Sequence, residues 1–193
     1  MSSIDFFRTC ISGDFDNAAQ VEVQRSAGLQ IHPYAMHINR VFDTRMKHAP
    51  YTKGFWILEE SYYVPPGSNK VDIKPYLFLF EPEGKDQIKL TPYTLPPGLE
   101  PPSVRNDRDD LSIDFLEIRP SPTFKPAFYT RKGNQFTLHA PNDLPGGMRF
   151  TLIETIDAQR LEVMELLEKD GKRLTPYATP ILYDRKSGLK PPR

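Results

Sequence analysis

A succession of about nine short alternating segments, separated by turn residues, is the feature of this sequence that most restricts its fold. Alternation of apolar and polar residues with a period of two is typical of strands that lay one face on a core. Twenty prolines and eleven glycines are spread along the 193 residues, which favours many turns and argues against a helical bundle. The predicted strands are 35–43, 55–63, 76–80, 87–95, 111–118, 127–131, 135–139, 148–156 and 178–183.

The N-terminal residues have a different pattern, which predicts a short helical segment over about residues 2–24. Ser2 is a suitable cap for a first helix, which Gly13 would end, and Asp14 would open a second. Residues 161–168 fit a helix by residue type and a strand by alternation, so both interpretations stay open.

Consecutive short strands pair antiparallel by default, and closing them into an up-and-down barrel removes the exposed edges. The sequence therefore predicts a mainly β fold, an antiparallel up-and-down β-barrel with a short N-terminal helical segment. The strands would run over about residues 35–184 within a single domain, residues 1–185, and residues 186–193 would be a polar tail. The charged stretch Arg105 to Asp110 is predicted to be a solvated loop.

Composition excludes several classes of function. Lys and Arg together number 25, as do Asp and Glu, so no overall field attracts nucleic acid or an anionic membrane, and neither is a predicted partner. Cys10 is the single cysteine, which excludes an intrachain disulfide and suits a reducing, cytoplasmic location. The four histidines have no zinc-ligand spacing, so no metal site is predicted.

The segment from Phe55 to Tyr63 is apolar and aromatic but carries two adjacent carboxylates. In a strand, Glu59 would share one face with Phe55 and Ile57, and Glu60 would lie on the other face. One face must meet the core, and a buried carboxylate is costly without a partner. That partner could be structural, such as Arg40 on the preceding strand, or it could be a ligand. The other glutamate would face solvent.

Four short motifs resemble those of the T-type phycobiliprotein lyases, the CpcT/CpeT family. The first is Gly13-Asp14-Phe15-Asp16-Asn17-Ala18-Ala19-Gln20, which matches Gly-x-Phe-x-Asn-x-x-Gln after a short helix. His37-Ile38-Asn39-Arg40, then Leu58-Glu59-Glu60-Ser61-Tyr62, and then Pro75-Tyr76 follow in the same order. The chain departs from the family pattern at Glu60, where the family has Gln, and at Leu77, where it has Arg.

The resemblance implies a calycin/lipocalin-like barrel that holds a linear tetrapyrrole and transfers it to a cysteine of a phycobiliprotein β subunit. The phycobilin would be a substrate, and no cofactor would be bound permanently. The partners would be the bilin and that β subunit, with a homodimer left open. Glu59 would be the catalytic residue and bind the pyrrole N–H groups. The further ligand-binding residues would be Tyr62, Trp56, Arg40 and Tyr76. The alternative is a non-catalytic barrel that binds another apolar ligand or a protein.

Overall fold

The computed structural model of the protein describes residues 1–191, and its central feature is a closed antiparallel β-barrel. In chain order the strands are β1 (Gly13–Asp16), β2 (Tyr34–Val41), β3 (Met46–Lys47), β4 (Phe55–Val64), β5 (Asp72–Glu83), β6 (Gln87–Tyr93), β7 (Ile113–Asp114), β8 (Ala127–Lys132), β9 (Gln135–Leu144), β10 (Met148–Ile156), β11 (Arg160–Lys169), β12 (Lys172–Arg173) and β13 (Ile181–Lys186). The α-helices are α1 (Ser3–Ile11) and α2 (Ala18–Ser26).

Ten of these strands form the barrel wall, and the two-residue strands β3, β7 and β12 lie outside it. Each wall strand pairs antiparallel with the wall strands before and after it in the chain. The first strand, β1, pairs with the last, β13, and closes the ring. This confirms the predicted mainly β fold with a calycin/lipocalin-like antiparallel barrel.

The strand β1 was not predicted, because residues 14–24 were interpreted as one helix. In the structure the helix begins only at Ala18, and Phe15 points into the core with no exposed surface. Pairing with β2 and β13 on both sides satisfies the backbone of this segment, which overrides its weak local helical preference.

Two other segments needed the structure to place them. Residues 161–168, which the sequence left open, belong to the strand β11, which pairs with β10 over nine residues. The predicted strand 111–118 is wrong as a wall strand, since only Ile113–Asp114 forms a strand, and this strand pairs with β3 outside the barrel. The last wall strand runs to Lys186, so it includes the first residue of the predicted tail, and residues 192–193 of that tail lie outside the described residues.

The helix α1 closes one end of the barrel. The hydroxyl of Ser2 accepts a hydrogen bond from the Asp5 N–H at 3.2 Å, as the sequence predicted for its N-terminus. The ring of Phe7 is buried among the wall residues Phe80, Tyr129 and Phe136, at centroid distances of 5.1, 4.8 and 4.9 Å. These contacts form an aromatic core beneath the helix.

A second apolar cluster lies on the outer face of β4 and β5. The outward side chains of these strands are covered by residues 94–125, whose buried members include Val104 and Leu111. The predicted solvated loop is therefore part of a covering segment. Its charges pair with each other at the surface: Arg105 with Asp107 at 2.9 Å, and Arg108 with Asp110 at 2.5 Å.

Candidate functional site

A cavity lies inside the barrel between α1 and the opposite end. Ile11 of α1 forms its floor, and Phe124, Lys125 and Phe150 lie towards the open end. The space open to the centres of water molecules is about 100 Å³, enough for several waters. The empty space between the walls is about 870 Å³ when the open solvent at the mouth of the cavity is included, so the enclosed volume is smaller. A large ligand would therefore extend into the solvent at the open end.

Aromatic and acidic side chains dominate the cavity wall. The rings are Tyr76, Phe78, Phe80, Phe124, Tyr129 and Phe150, and the acids are Glu59, Glu154 and Glu165. The rings of Tyr76 and Phe78 stack in nearly parallel planes, 8° apart with centroids at 5.6 Å. Burial raises the pKa of Tyr76, which keeps its hydroxyl neutral and able to donate a hydrogen bond. Such a surface accommodates a flat apolar body that carries a few polar groups.

The strand β4 separates the two neighbouring glutamates. Glu59 points into the cavity, and Glu60 points outward beneath the covering segment, where it is only 2% exposed. Its Oε1 accepts the backbone N–H of Asn106 at 2.6 Å, and its Oε2 accepts the hydroxyl of Tyr62. Glu60 is therefore a buried structural residue, which corrects the prediction that the second glutamate faces solvent.

Glu59 lies beside a buried histidine inside the barrel. The Nδ1 atom of His37 is 3.2 Å from Oε1 of Glu59, and the hydroxyl of Ser61 donates to the same oxygen at 2.9 Å. Burial alone would raise the pKa of Glu59, but attraction to His37 and these contacts lower it overall. For His37, burial opposes protonation, and the Glu59 carboxylate outweighs it and raises the pKa. The pair therefore favours an ionised Glu59. The alternative partner suggested by the sequence, Arg40, instead binds Asp14 at 2.5 Å.

Two further glutamates of the cavity were missed by the sequence analysis. Glu154 on β10 accepts a hydrogen bond from the Tyr129 hydroxyl, and Glu165 lies on the adjacent strand β11. Burial raises the pKa of Glu154 to about 7, against the opposing effect of Tyr129. Burial also raises the pKa of Glu165. One sequence pattern could have identified Glu154, namely a charged residue on an otherwise apolar face. Glu154 follows Phe150 and Leu152 on the inner side of β10.

Of the residues predicted to bind ligand, the structure brings Glu59 and Tyr76 together in the cavity. The two are direct neighbours across β4 and β5. Trp56, Tyr62 and Arg40 lie on the other face of the sheet, so they do not line the cavity. Trp56 packs on Tyr93 and Phe115 in the outer cluster, Tyr62 binds Glu60, and Arg40 binds Asp14. The reason is that β4 is buried on both faces, so an aromatic residue there need not face the interior.

The departure from the family pattern at Leu77 also lies on the outer face. Its side chain is fully buried in the outer cluster beneath residues 94–125. Together with the placement of Glu60, this means that both departures lie away from the cavity wall. The inner residues of the same motifs, Glu59 and Tyr76, are the ones that line it.

Asn17 and Gln20 join the helical region to the barrel and do not reach the cavity. The Oδ1 of Asn17 accepts the Ala35 N–H at 2.8 Å. Gln20 accepts the Leu182 N–H at 3.1 Å and donates to the Pro180 carbonyl at 3.0 Å. Both side chains therefore have a structural role.

Cys10 has no exposed surface and lies in the core beneath α1. Burial raises the pKa of its thiol to about 11, so the reactive thiolate is disfavoured. Within residues 1–191 no group of three or more potential metal-ligating side chains is present. None of the helices in that part of the chain is long and apolar enough to cross a membrane.

Among solved structures, the chain is similar to that of the selenomethionine CRL protein of Arabidopsis. The two are 11% identical with a TM-score of 0.66, and the similarity covers 96% of this chain and 100% of that one. No protein-family model and no curated protein matches the sequence. At this identity the similarity establishes the barrel fold alone.

Proposed function

We propose that the protein binds a linear tetrapyrrole in its barrel and passes it to a cysteine of a partner protein, the β subunit of a phycobiliprotein. The observation that carries the proposal is a carboxylate, Glu59, that faces an aromatic cavity and whose pKa is lowered. The family motif matches the chain at this residue and at Tyr76, and both line the cavity.

The cavity chemistry suits the chemistry of a bilin. A bilin is a long conjugated body with pyrrole N–H donors and two propionates. The stacked rings of Tyr76 and Phe78 would cover the conjugated body, and Glu59 would accept hydrogen bonds from the pyrrole N–H groups. Lys125 lines the cavity towards its open end, so this cation would meet a propionate.

The transfer step needs no nucleophile from this chain. The thiolate of the acceptor cysteine would add to a carbon–carbon double bond of the bilin, forming the C–S bond and breaking the π bond. The proton that the thiol loses would end on the bilin, so no group leaves and no oxidant is consumed. Cys10 is buried away from the cavity lining, which fits a protein that holds and presents the bilin while the acceptor supplies the sulfur.

The first test is a titration of the purified protein with phycocyanobilin and phycoerythrobilin. We expect the bilin absorption to shift and sharpen, because the cavity would fix one conformation. The E59Q variant, which loses the charge but keeps the shape, should weaken binding by about tenfold, as for a lost charge-assisted hydrogen bond. The exposed E83Q variant on β5 serves as the matched control. Unchanged spectra with both bilins would contradict the proposal.

A binder without transfer activity is the second candidate, favoured by one observation. Among the residues that line the cavity, Lys125 is the only lysine or arginine, so the bilin propionates would be held weakly. Coexpression with bilin-synthesis enzymes and a phycobiliprotein β subunit separates the two functions. Zinc-enhanced fluorescence of the denatured β subunit reports the covalent bond. Bilin binding without that bond would identify a carrier.

A further inference from the structure

Glu154 and Glu165 form an acidic wall in the cavity, on the side opposite Glu59. The ring has ten strands, and β10 is five strands from β4 in either direction. Glu154 therefore lies across the barrel from Glu59, and Glu165 is on the next strand. The cavity accordingly has carboxylates on two facing walls.

No cation of the described residues forms an ion pair with these carboxylates, although His37 attracts both of them and Lys74 attracts Glu165 from a greater distance. Neither Glu154 nor Glu165 has an ion-pair partner in the described part of the chain. Glu59, by contrast, lies 3.2 Å from His37. The Tyr129 hydroxyl is a neutral donor to Glu154, and Lys125 lies towards the open end. Carboxylates that face a cavity without an ion-pair partner favour a ligand that brings a positive charge.

His37 gives an independent indication of a missing polar partner. It is 4% exposed and lines the same cavity. Neither ring nitrogen makes a hydrogen bond within residues 1–191: Nδ1 lies 3.2 Å from Oε1 of Glu59 without forming one, and Nε2 has no partner. A buried nitrogen without a partner is unfavourable, and a polar group of a bound ligand would remove that cost.

We propose that Glu154 and Glu165 are a second anchoring site, which holds a cationic or N–H-bearing ligand against the Glu59 wall. The ligand class is a flat conjugated molecule whose positive charge or N–H groups lie in its middle, between the two walls. This deepens the proposed function, because a protonated bilin is one member of the class. It also goes beyond that function, because other aromatic cations belong to the same class.

The remaining surfaces of the cavity agree with this class. The faces of Tyr76 and Phe78 attract a delocalised cation through their π systems. An apolar anion such as a fatty acid would meet three glutamates, so the inner cavity selects against it by charge. An acidic side group would be tolerated only towards the open end, near Lys125.

The test compares 9-aminoacridine, which is cationic at neutral pH, with the anionic dye 8-anilinonaphthalene-1-sulfonate, by fluorescence titration. We expect the cation to bind in the barrel and the anion to bind more weakly. E154Q and E165Q should each weaken cation binding by about tenfold, the effect of one charge-assisted contact. E162Q is the matched control, because Glu162 lies on the same strand as Glu165 and is absent from the cavity wall.

The variants also separate this inference from the proposed function. If a bilin binds and E59Q weakens it while E154Q and E165Q do not, the second anchoring site is wrong and the proposed function stands. If no bilin binds but the acridine does, with the expected loss in both variants, the proposed function fails and the site stands. Equal affinity for both dyes, or no binding of any cation, would overturn the site. Near-UV circular dichroism verifies that each variant is folded.

Discussion

At the scale of residues, adjacent glutamates have opposite roles because a strand sends them to opposite faces. Glu59 faces the cavity and has polar neighbours but space for a ligand. Glu60 is enclosed by the covering segment, and its two oxygens each accept a hydrogen bond. One side chain is thus available for chemistry, whereas the other holds residues 94–125 onto the barrel.

Removing Glu60 should therefore lower stability without touching the cavity. E60A leaves the Asn106 N–H and the Tyr62 hydroxyl without their acceptor, and we expect a loss of about 2–4 kcal/mol in the free energy of unfolding. The exposed control E83A should change it by less than about 0.5 kcal/mol. Urea denaturation measures both. A stable E60A protein would show that the covering segment does not depend on this contact.

Glu154 should make stability fall as the pH rises. Its pKa is raised from an ordinary value of 4.5 to about 7 in the folded protein, mainly by burial. Between these values the folded state holds a proton that the unfolded state has released, so the contribution is full below pH 4.5 and is lost as the pH passes about 7. Since other carboxylates with lowered pKa values act in the opposite sense, the quantity to measure is the difference between the wild type and E154Q.

Between pH 4.5 and pH 8, the free energy of unfolding of the wild type should fall by about 2–3 kcal/mol more than that of E154Q, as expected from the size of the pKa shift. Thermal and urea denaturation at half-unit pH intervals would measure it, with E162Q as the control. A difference that is flat across this range would contradict the raised pKa of Glu154.

At the scale of elements, β1 completes the barrel although it has only four residues. Gly13 at its start has φ of 147°, a region that is essentially restricted to glycine. A Cβ there would also collide with the guanidinium of Arg185, which donates to the Ser12 and Cys10 carbonyls at the end of α1. The turn from helix into strand therefore depends on glycine.

G13A should cost about 2–4 kcal/mol, from the strained φ and the displaced guanidinium. The control is G28A, because Gly28 has φ of 71° and a Cβ there meets nothing within 4 Å. That variant should cost only about 1–2 kcal/mol, from the left-handed conformation alone. Chemical denaturation measures the free energy of unfolding of both variants. Equal losses would mean that the contact with Arg185 does not contribute to the cost of G13A.

The sequence was sufficient for the elements whose pattern is local. Alternation located Met148 to Ile156 at the observed bounds of β10 and most other wall strands within a few residues. Alternation could not tell which face of β4 is inside, because Trp56 and Leu58 are as apolar as Phe55 and Ile57. Both faces are buried, one in the barrel and one beneath residues 94–125. That covering is a long-range contact, and it is why Trp56 was placed in the cavity wrongly.

At the scale of the whole molecule, the barrel is a container whose closed end is filled by α1 and whose cavity remains beyond it. If ligand binding is its role, filling the cavity should abolish binding and leave the fold intact. Ala140 on β9 lines the cavity, and the neighbouring His139 is exposed, so it lies on the outer side of the same strand.

A140F places a phenyl ring in the cavity, and H139F places the same ring outside, which makes it a matched control. We expect A140F to weaken binding of phycocyanobilin and of 9-aminoacridine by at least about tenfold, since the ring occupies space that the ligand needs. H139F should bind both as the wild type does. Because added apolar bulk fills empty space, A140F should unfold at a temperature no more than a few degrees from that of the wild type. Undiminished binding in a folded A140F protein would place the ligand site outside the barrel. That result would also contradict the ligand-binding roles assigned to Glu59, Glu154 and Glu165.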